Sequence, residues 1–365
     1  MIRSVSAVLL AAGSAAAFAT HPAPTRAHST GQLVVHEWGT ITTRHAANGV
    51  AEGGLNRLDS YEPLPNFVHR FEVADRGGYH RVPLSKTSDG EARPDVTMRL
   101  ETPVLYFHTA PGDSIPPFDV TVDFRGGVLN EFYPNAVASA SGWDGARLRG
   151  DVVGTLQWHG VTLRDHVQTL QTPDHVWLAP RAVDSRPVTI GRESEQYIFY
   201  RGMANLEAVL RTDFAGNELR LRGPRDSRWF TGPTAALGRV WVLDVRRDGT
   251  SAFRESDSLT LVRGDTTREL TRFRDFADTD YSRATLERLR ASMHRALVGR
   301  GLYDDEATAM LETWKHNYFL EPGLRVFYIA PIDWVSFHLP LRISVPHTLT
   351  RVIVGRVDLA GTGWP

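Results

Sequence analysis

Three glutamates sit where carboxylates are unusual. Glu37, Glu101 and Glu131 each interrupt a strand-like run and are flanked by large apolar or aromatic side chains rather than turn residues. A carboxylate in that setting is stripped of water, and its pKa rises unless an arginine or a metal ion meets it. Two such acids facing each other suit glycoside hydrolysis, which needs an acid and a partner about 5 to 9.5 Å apart. Trp38, Phe132 and Tyr133 offer rings for stacking on a sugar, and Arg201 ends the aromatic run FYRG, placed to reach a carboxylate on a neighbouring strand. Trp38, Tyr133 and Arg201 are therefore the ligand-binding candidates. Plain architecture explains the same residues and takes the larger weight: ion pairs with arginines such as Arg99 or Arg201, and aromatics that fill a core.

A second chemistry is metal binding. His36, His69 and His108 fall on strand-like segments, and imidazole nitrogens joined by the carboxylate of Glu37 or Glu131 suit zinc or another divalent transition metal. The chain carries 14 histidines at irregular spacings, so a satisfied core or surface histidine is the base expectation at each. Glu312 and His316 form an i,i+4 pair on one helix face, a spacing that also gives an ordinary helix-stabilising contact. No Walker loop, strand-linked GxGxxG, GxSxG elbow, HExxH or EF-hand is present.

These residues must be positioned by a mostly β scaffold. LVVHEWGTIT alternates, placing His36 and Trp38 on one face and Glu37 on the other, so the three neighbours do not form one contiguous site. MRLETPVLYFH reads as a strand bent by Pro103, and FDVTVDF followed by Gly126-Gly127 and VLNEFYP reads as a hairpin. Further strands are expected at LRGDVVGTLQWHGVTL, DHVWLAPRAV, EQYIFYRG and WVSFHLPLRISV, and residues 75 to 96 read as a loop. Residues 280 to 300 change to helical period, and a second helix capped by Asp304 follows, making a helical hairpin before the last strands. The fold class expected is mainly β, with antiparallel sandwich-like sheets and that C-terminal hairpin, α+β overall. The divisions expected are a signal peptide over 1–19, a disordered leader over 20–31, an N-terminal β domain over 32–202, a small antiparallel module over 203–275, and the helical hairpin with closing strands over 276–365.

Composition sets the address. Met1-Ile2-Arg3, an apolar stretch from Val5 to Phe18 and the cleavage pattern Ala17-Phe18-Ala19 read as a secretory signal, leaving Thr20 as the mature start. Nothing later approaches the ~20 apolar residues of a membrane span. The expectation is an exported protein, periplasmic or secreted. It has no cysteine, which excludes disulfides, thiolate metal sites and cysteine nucleophiles, so the core alone holds the fold. A formal net charge of −1, with acids interleaved among the arginines, argues against nucleic acid as a partner.

The motifs Val35 to Thr40 (VHEWGT), Arg99 to Phe107 (RLETPVLYF), Glu131 to Pro134 (EFYP), Phe199 to Gly202 (FYRG) and Thr313 to Pro331 touch most of the mature chain. In this combination the chain resembles a family of exported bacterial proteins that open with VHEWGT. Phe132 stands where that family's third motif has tryptophan. The resemblance implies grouping and export and brings no activity with it. Two functional readings therefore stand, and the sequence leaves open whether the protein is an enzyme. One is a non-catalytic exported module that binds an envelope or extracellular ligand, a glycan or a protein. The other is an extracytoplasmic hydrolase, metal-assisted or paired-carboxylate, centred on Glu37, Glu101 and Glu131.

Overall fold

The computed structural model describes residues 31–56, 63–71, 73–74, 81–82, 92–145 and 147–360. The expected signal, most of the expected leader and most of the loop expected over 75–96 lie outside the described residues. The long strands are β1 (Leu33–His45), β2 (Met98–His108), β3 (Phe118–Arg125), β4 (Gly127–Tyr133), β5 (Val153–Leu163), β6 (Ile198–Ala204), β7 (Val240–Val245), β8 (Ser251–Ser256), β9 (Gly323–Ile329) and β10 (His347–Leu359). The helices are α1 (His175–Arg181), α2 (Thr285–Val298), α3 (Asp304–Thr313) and α4 (Ile332–His338), with a π-helical segment at Lys315–Leu320 directly after α3.

All these strands belong to one 15-stranded sheet, whose order from edge to edge is Glu193–Glu195, Val188–Ile190, β5, β4, β6, β2, β1, β10, β9, β7, β8. β3 lies off this path, paired with β5 and with the short strand Leu341–Ile343. The closing strands thus return to the first sheet, and the divisions expected near 202 and 275 fall within a sheet that continues across them. Smaller sheets hang from it, among them a three-stranded one at Arg211–Ala215, Glu218–Arg222 and Glu269–Arg274. Most pairs are antiparallel, as expected. The central pair is not: β1 runs parallel to β10 from Leu33↔His347 to His45↔Leu359. β1 is buried along nearly its whole length and β10 from Val352 to Val357, which suits that arrangement because a parallel pair needs both faces covered.

Alternation along the central strands divides the core in two. One face presents Trp38, Val104, Tyr106, Phe199, Trp241, Phe327, Val352 and Val354 to Trp177 of α1, to Leu289, Met293 and Leu297 of α2, and to Ala307, Met310 and Leu311 of α3. We call this the helical face. The opposite face holds Val35, Leu105, Phe107, Tyr200, Val326 and Ile353, packed with β3 and α4. Among the described residues, seven of eight tryptophans are fully buried, which is how a cysteine-free chain of this size holds together.

Three local expectations are corrected. DHVWLAPRAV contains α1 rather than a strand. A helix of 7 residues has little stability of its own, and this one is fixed by Trp177, whose ring meets Phe199 at 4.9 Å and whose Nε1 donates to Glu195 at 2.8 Å. WVSFHLPLRISV likewise begins inside α4, where Trp334, Val335 and His338 share the buried side, and only Leu341–Ile343 is strand. Finally, β3 and β4 are consecutive but do not pair. Gly126, at φ +88°, turns the chain through a corner and donates its N–H to Val152 O at 2.7 Å, sending β3 onto β5 and β4 onto β6.

A bulge sits in the VHEWGT strand's pairing. Trp38 faces Val104, but Thr40 faces Glu101, so β2 carries one extra residue there. Thr102 takes φ +48°, a left-handed conformation that a β-branched residue rarely adopts. Gly39 answers Pro103: a Cβ at Gly39 would lie 2.9 Å from Pro103 Cα.

Candidate metal centre

His36 enters the helical face because it alternates with Trp38 on the same side of β1. Its cross-strand partner on β2 is Tyr106, so His108, two residues on, lies diagonally across on the same face. Above this pair, α3 begins. Glu306 is its third residue, and one carboxylate oxygen accepts the Tyr303 N–H at 2.8 Å, closing a capping interaction at the helix start.

The same carboxylate then reaches the sheet. His36 Nδ1–H donates to Glu306 Oε2 at 2.7 Å, and His108 Nε2–H donates to Glu306 Oε1 at 2.8 Å. His36 and His108 are each 3 % exposed and Glu306 is 0 % exposed. The Tyr303 ring lies 4.5 Å from the His36 ring and 4.9 Å from the His108 ring, closing the cluster from the side. Burial by itself pushes the Glu306 carboxyl up; the two imidazole hydrogen bonds and their charge outweigh it and hold the group at about 2.

Two imidazole nitrogens and one carboxylate oxygen, supplied by β1, β2 and α3, lie within 4.8 Å of one another. A tetrahedral zinc ion with ligands at about 2.0–2.1 Å keeps its donors roughly 3.3 Å apart, so small side-chain movements, with the two imidazole protons moved to the other ring nitrogens or released, would convert this cluster into a three-ligand sphere. The chemistry of the set also fits. Two histidines and a glutamate are a known catalytic zinc ligation, and they leave a fourth position for water or substrate. The Tyr303 N–H on Glu306 supplies the outer hydrogen bond that orients a metal carboxylate.

The cluster borders solvent on one side. His108 lines a cleft of about 330 Å³ together with Thr109, Asp165, Asp184 and Arg186. Arg186 braces this cleft, donating to Thr109 Oγ1 at 3.0 Å and to the Arg164 carbonyl at 3.0 Å while pairing with Asp165 at 3.2 Å. The Asp184 N–H donates to Asp305 Oδ2 at 2.9 Å, tying the cleft wall to the start of α3.

No family model matches the chain, and no curated protein matches it. Among solved structures it is similar to the Fcho1 Mu homology domain of Danio rerio with a bound Eps15 peptide, with a TM-score of 0.29 and 8 % identity over 93 % of this chain and 98 % of that one. A likeness at that score carries no argument about function.

The remaining residues singled out in the sequence go elsewhere. Glu37 lies on the opposite face, where Tyr200 donates to one carboxylate oxygen and Arg351 Nε to the other at 2.5 Å, so it cannot reach the histidines. Glu101 and Glu131 are on the helical face, away from His36 and His108. Glu101 receives Arg99 Nε at 2.8 Å and Tyr318 OH at 3.3 Å, and Glu131 lies 3.7 Å from Arg70 Nε. The trio therefore does not form one paired-carboxylate centre. His69 does not join the cluster: its Nε2 bonds Glu193 at 2.8 Å, and its ring stacks beside Phe132 and Tyr133. Trp38 and Tyr133 are 0 % and 1 % exposed, packed against Trp314 and Trp177, so neither offers a face to a ligand. Arg201 is 4 % exposed and donates to Thr102 Oγ1 at 3.2 Å. Glu312 pairs with Arg290, and His316 packs against His175 with ring centres 5.7 Å apart.

Glu306 is the member of the cluster that its local sequence does not reveal. A glutamate at the third position of a helix is an ordinary capping pattern, and nothing local to GLYDDEA says that its second oxygen meets strands 270 and 198 residues away.

Proposed function

We propose that this is an exported metalloprotein in which His36, His108 and Glu306 hold one divalent transition-metal ion, with zinc the best match, and that the ion serves hydrolysis of a ligand held in the adjoining cleft. The observation that carries this reading is the convergence of three ligating atoms, from three elements distant in sequence, with one imidazole lining a cleft. Held by these three residues, zinc would supply Lewis-acid activation of water and of a substrate carbonyl or similar group. Glu306, held ionised at neutral pH, supplies the anionic ligand. Export, and membership of the VHEWGT-bearing group of exported bacterial proteins, rest on the N-terminal pattern and the quoted motifs. Among the described residues no helix is long and apolar enough to cross a membrane. The substrate class that goes with export is an envelope or extracellular polymer, glycan or peptide.

The test is a hydrolysis and binding screen of the zinc-loaded mature protein against glycan and peptide polymers. Turnover that drops at least 100-fold in Glu306→Gln and persists in Glu101→Gln supports the reading. Saturable binding without turnover in any zinc-loaded sample overturns it in favour of a non-catalytic binding module for a glycan or protein.

A further inference from the structure

A second polar cluster lies on the helical face, at Arg201 and Glu131. The two residues are direct cross-strand partners on β6 and β4, and they are 4 % and 3 % exposed. Opposite charges so placed are expected to form a buried ion pair. They do not. The Arg201 guanidinium instead gives Nη2 to the hydroxyl of Thr102 at 3.2 Å, and its Nε has no partner. Glu131 has only the long contact to Arg70 at 3.7 Å through one oxygen, and its Oε2 is likewise without a partner. Among the described residues, Arg201 is a buried cation with no carboxylate in ion-pair reach.

Buried polar atoms are almost always hydrogen-bonded, and a buried charge is costly without a counter-charge. Two independent features mark this spot further. Thr102, which holds Arg201, has the positive φ noted above, and strained backbone of this kind clusters at ligand sites. The π-helical segment meets the residue before Thr102 through Tyr318, whose hydroxyl donates to Glu101 at 3.3 Å, and π-helical turns also favour functional positions. Solvent lies one side chain away. Arg70, on the two-residue strand His69–Arg70 that pairs with β4, covers Glu131 with its own side chain 52 % exposed.

We propose that Arg201 and Glu131 form a ligand site, reached past Arg70, for a carboxylate bearing a neighbouring hydroxyl. The unpartnered guanidinium Nε, and a charge met only by the Phe199 ring at 5.7 Å, call for an anionic oxygen, which Arg holds in planar geometry. The unpartnered Glu131 oxygen calls for a donor beside it, and a hydroxyl supplies one where a second carboxylate would be repelled. Acidic sugars and small hydroxy acids share this unit. The site is separate from the histidine cluster and stands whether or not that cluster binds metal.

Isothermal titration calorimetry on the full mature chain tests it, with D-glucuronate and lactate as the two source classes and D-glucose and acetate as controls carrying only half the unit. The expected result is saturable binding of glucuronate or lactate, at least 10-fold tighter than glucose and acetate. The ligand that binds more tightly identifies the source class. Arg201→Lys keeps the charge but loses the planar donor, and should weaken that binding at least 10-fold while circular dichroism and melting show a folded protein. Glu131→Gln should abolish the preference for the hydroxy acid over acetate. Absence of saturable heat with both acids in folded wild-type protein overturns the proposal. So does binding that is unchanged in Arg201→Lys.

Discussion

Replacing Glu37 by glutamine separates the architectural reading of the VHEWGT strand from a chemical one. The Glu37 carboxylate is 0 % exposed, and the Arg351 side chain that meets it is 4 % exposed, so the variant leaves a buried guanidinium without its counter-charge. Removing one partner of a buried pair costs about 3–5 kcal/mol. The amide oxygen of glutamine still accepts one hydrogen bond from Tyr200 or Arg351, which returns about 1 kcal/mol. The expected loss is therefore roughly 2–4 kcal/mol by urea denaturation, equivalent to a fall of roughly 3–5 °C in Tm at an unfolding entropy of about 2.1 cal/mol/K per residue. Zinc content should not change, because Glu37 and His36 point to opposite faces of β1. The double variant Glu37→Leu with Arg351→Met, which replaces the pair by apolar volume, should recover most of the loss. A loss under about 1 kcal/mol in Glu37→Gln, or a loss of zinc along with it, would refute the reasoning.

Three further outcomes follow from single contacts. His45 is buried against Thr212, and burial first, then the Arg211 charge, lowers its pKa from 6.5 to about 4. The unfolded chain therefore takes up a proton near pH 6.5 that the folded one refuses until near pH 4, so this contribution is complete above pH 6.5 and falls away as pH drops, by about 3 kcal/mol at pH 4. His45→Gln should flatten that part of the stability–pH curve in urea melts at successive pH values. Gly39→Ala should cost about 1–3 kcal/mol by urea melt, because its methyl meets Pro103 Cα at 2.9 Å and the bulge has little room to give. Trp177→Phe should cost about 1–3 kcal/mol, read as a lower melting midpoint, since it removes the indole N–H from buried Glu195 while Arg181 still pairs with that acid at 2.7 Å.

The parts of the fold that could be read in the sequence are those where one residue pattern forces one geometry. Strict alternation in LVVHEWGTIT placed His36 and Glu37 on opposite faces, and helical period with a short GRGLY joint gave α2 and α3. The turn Asp248-Gly249 closes β7 onto β8, with Gly249 at φ +80°. What misled were segments whose local pattern is ambiguous and whose state is set by distant partners. HVWLAPR is rich in apolar residues at no clear period, and Trp177 settles it as helix by docking between Phe199 and Glu195. Gly126-Gly127 carries the composition of a hairpin turn, yet the choice between pairing and turning a corner depends on β5 and β6. The candidate site was half visible in the same way. His36 and His108 stood out as strand histidines, but their meeting depends on the register of β1 with β2, and Glu306 comes from a helix that no local signal connects to them.

Zinc-edge X-ray absorption on the zinc-loaded protein, alongside metal stoichiometry by mass spectrometry, tests the central claim most directly. The account predicts close to one zinc per chain, with two imidazole nitrogens and carboxylate oxygen at about 2.0–2.1 Å. It also predicts loss of that zinc in Glu306→Gln and in His108→Ala, with zinc retained in His69→Ala and Glu37→Gln. A folded wild-type protein that keeps no zinc after dialysis, or one whose zinc survives both Glu306→Gln and His108→Ala, would contradict it.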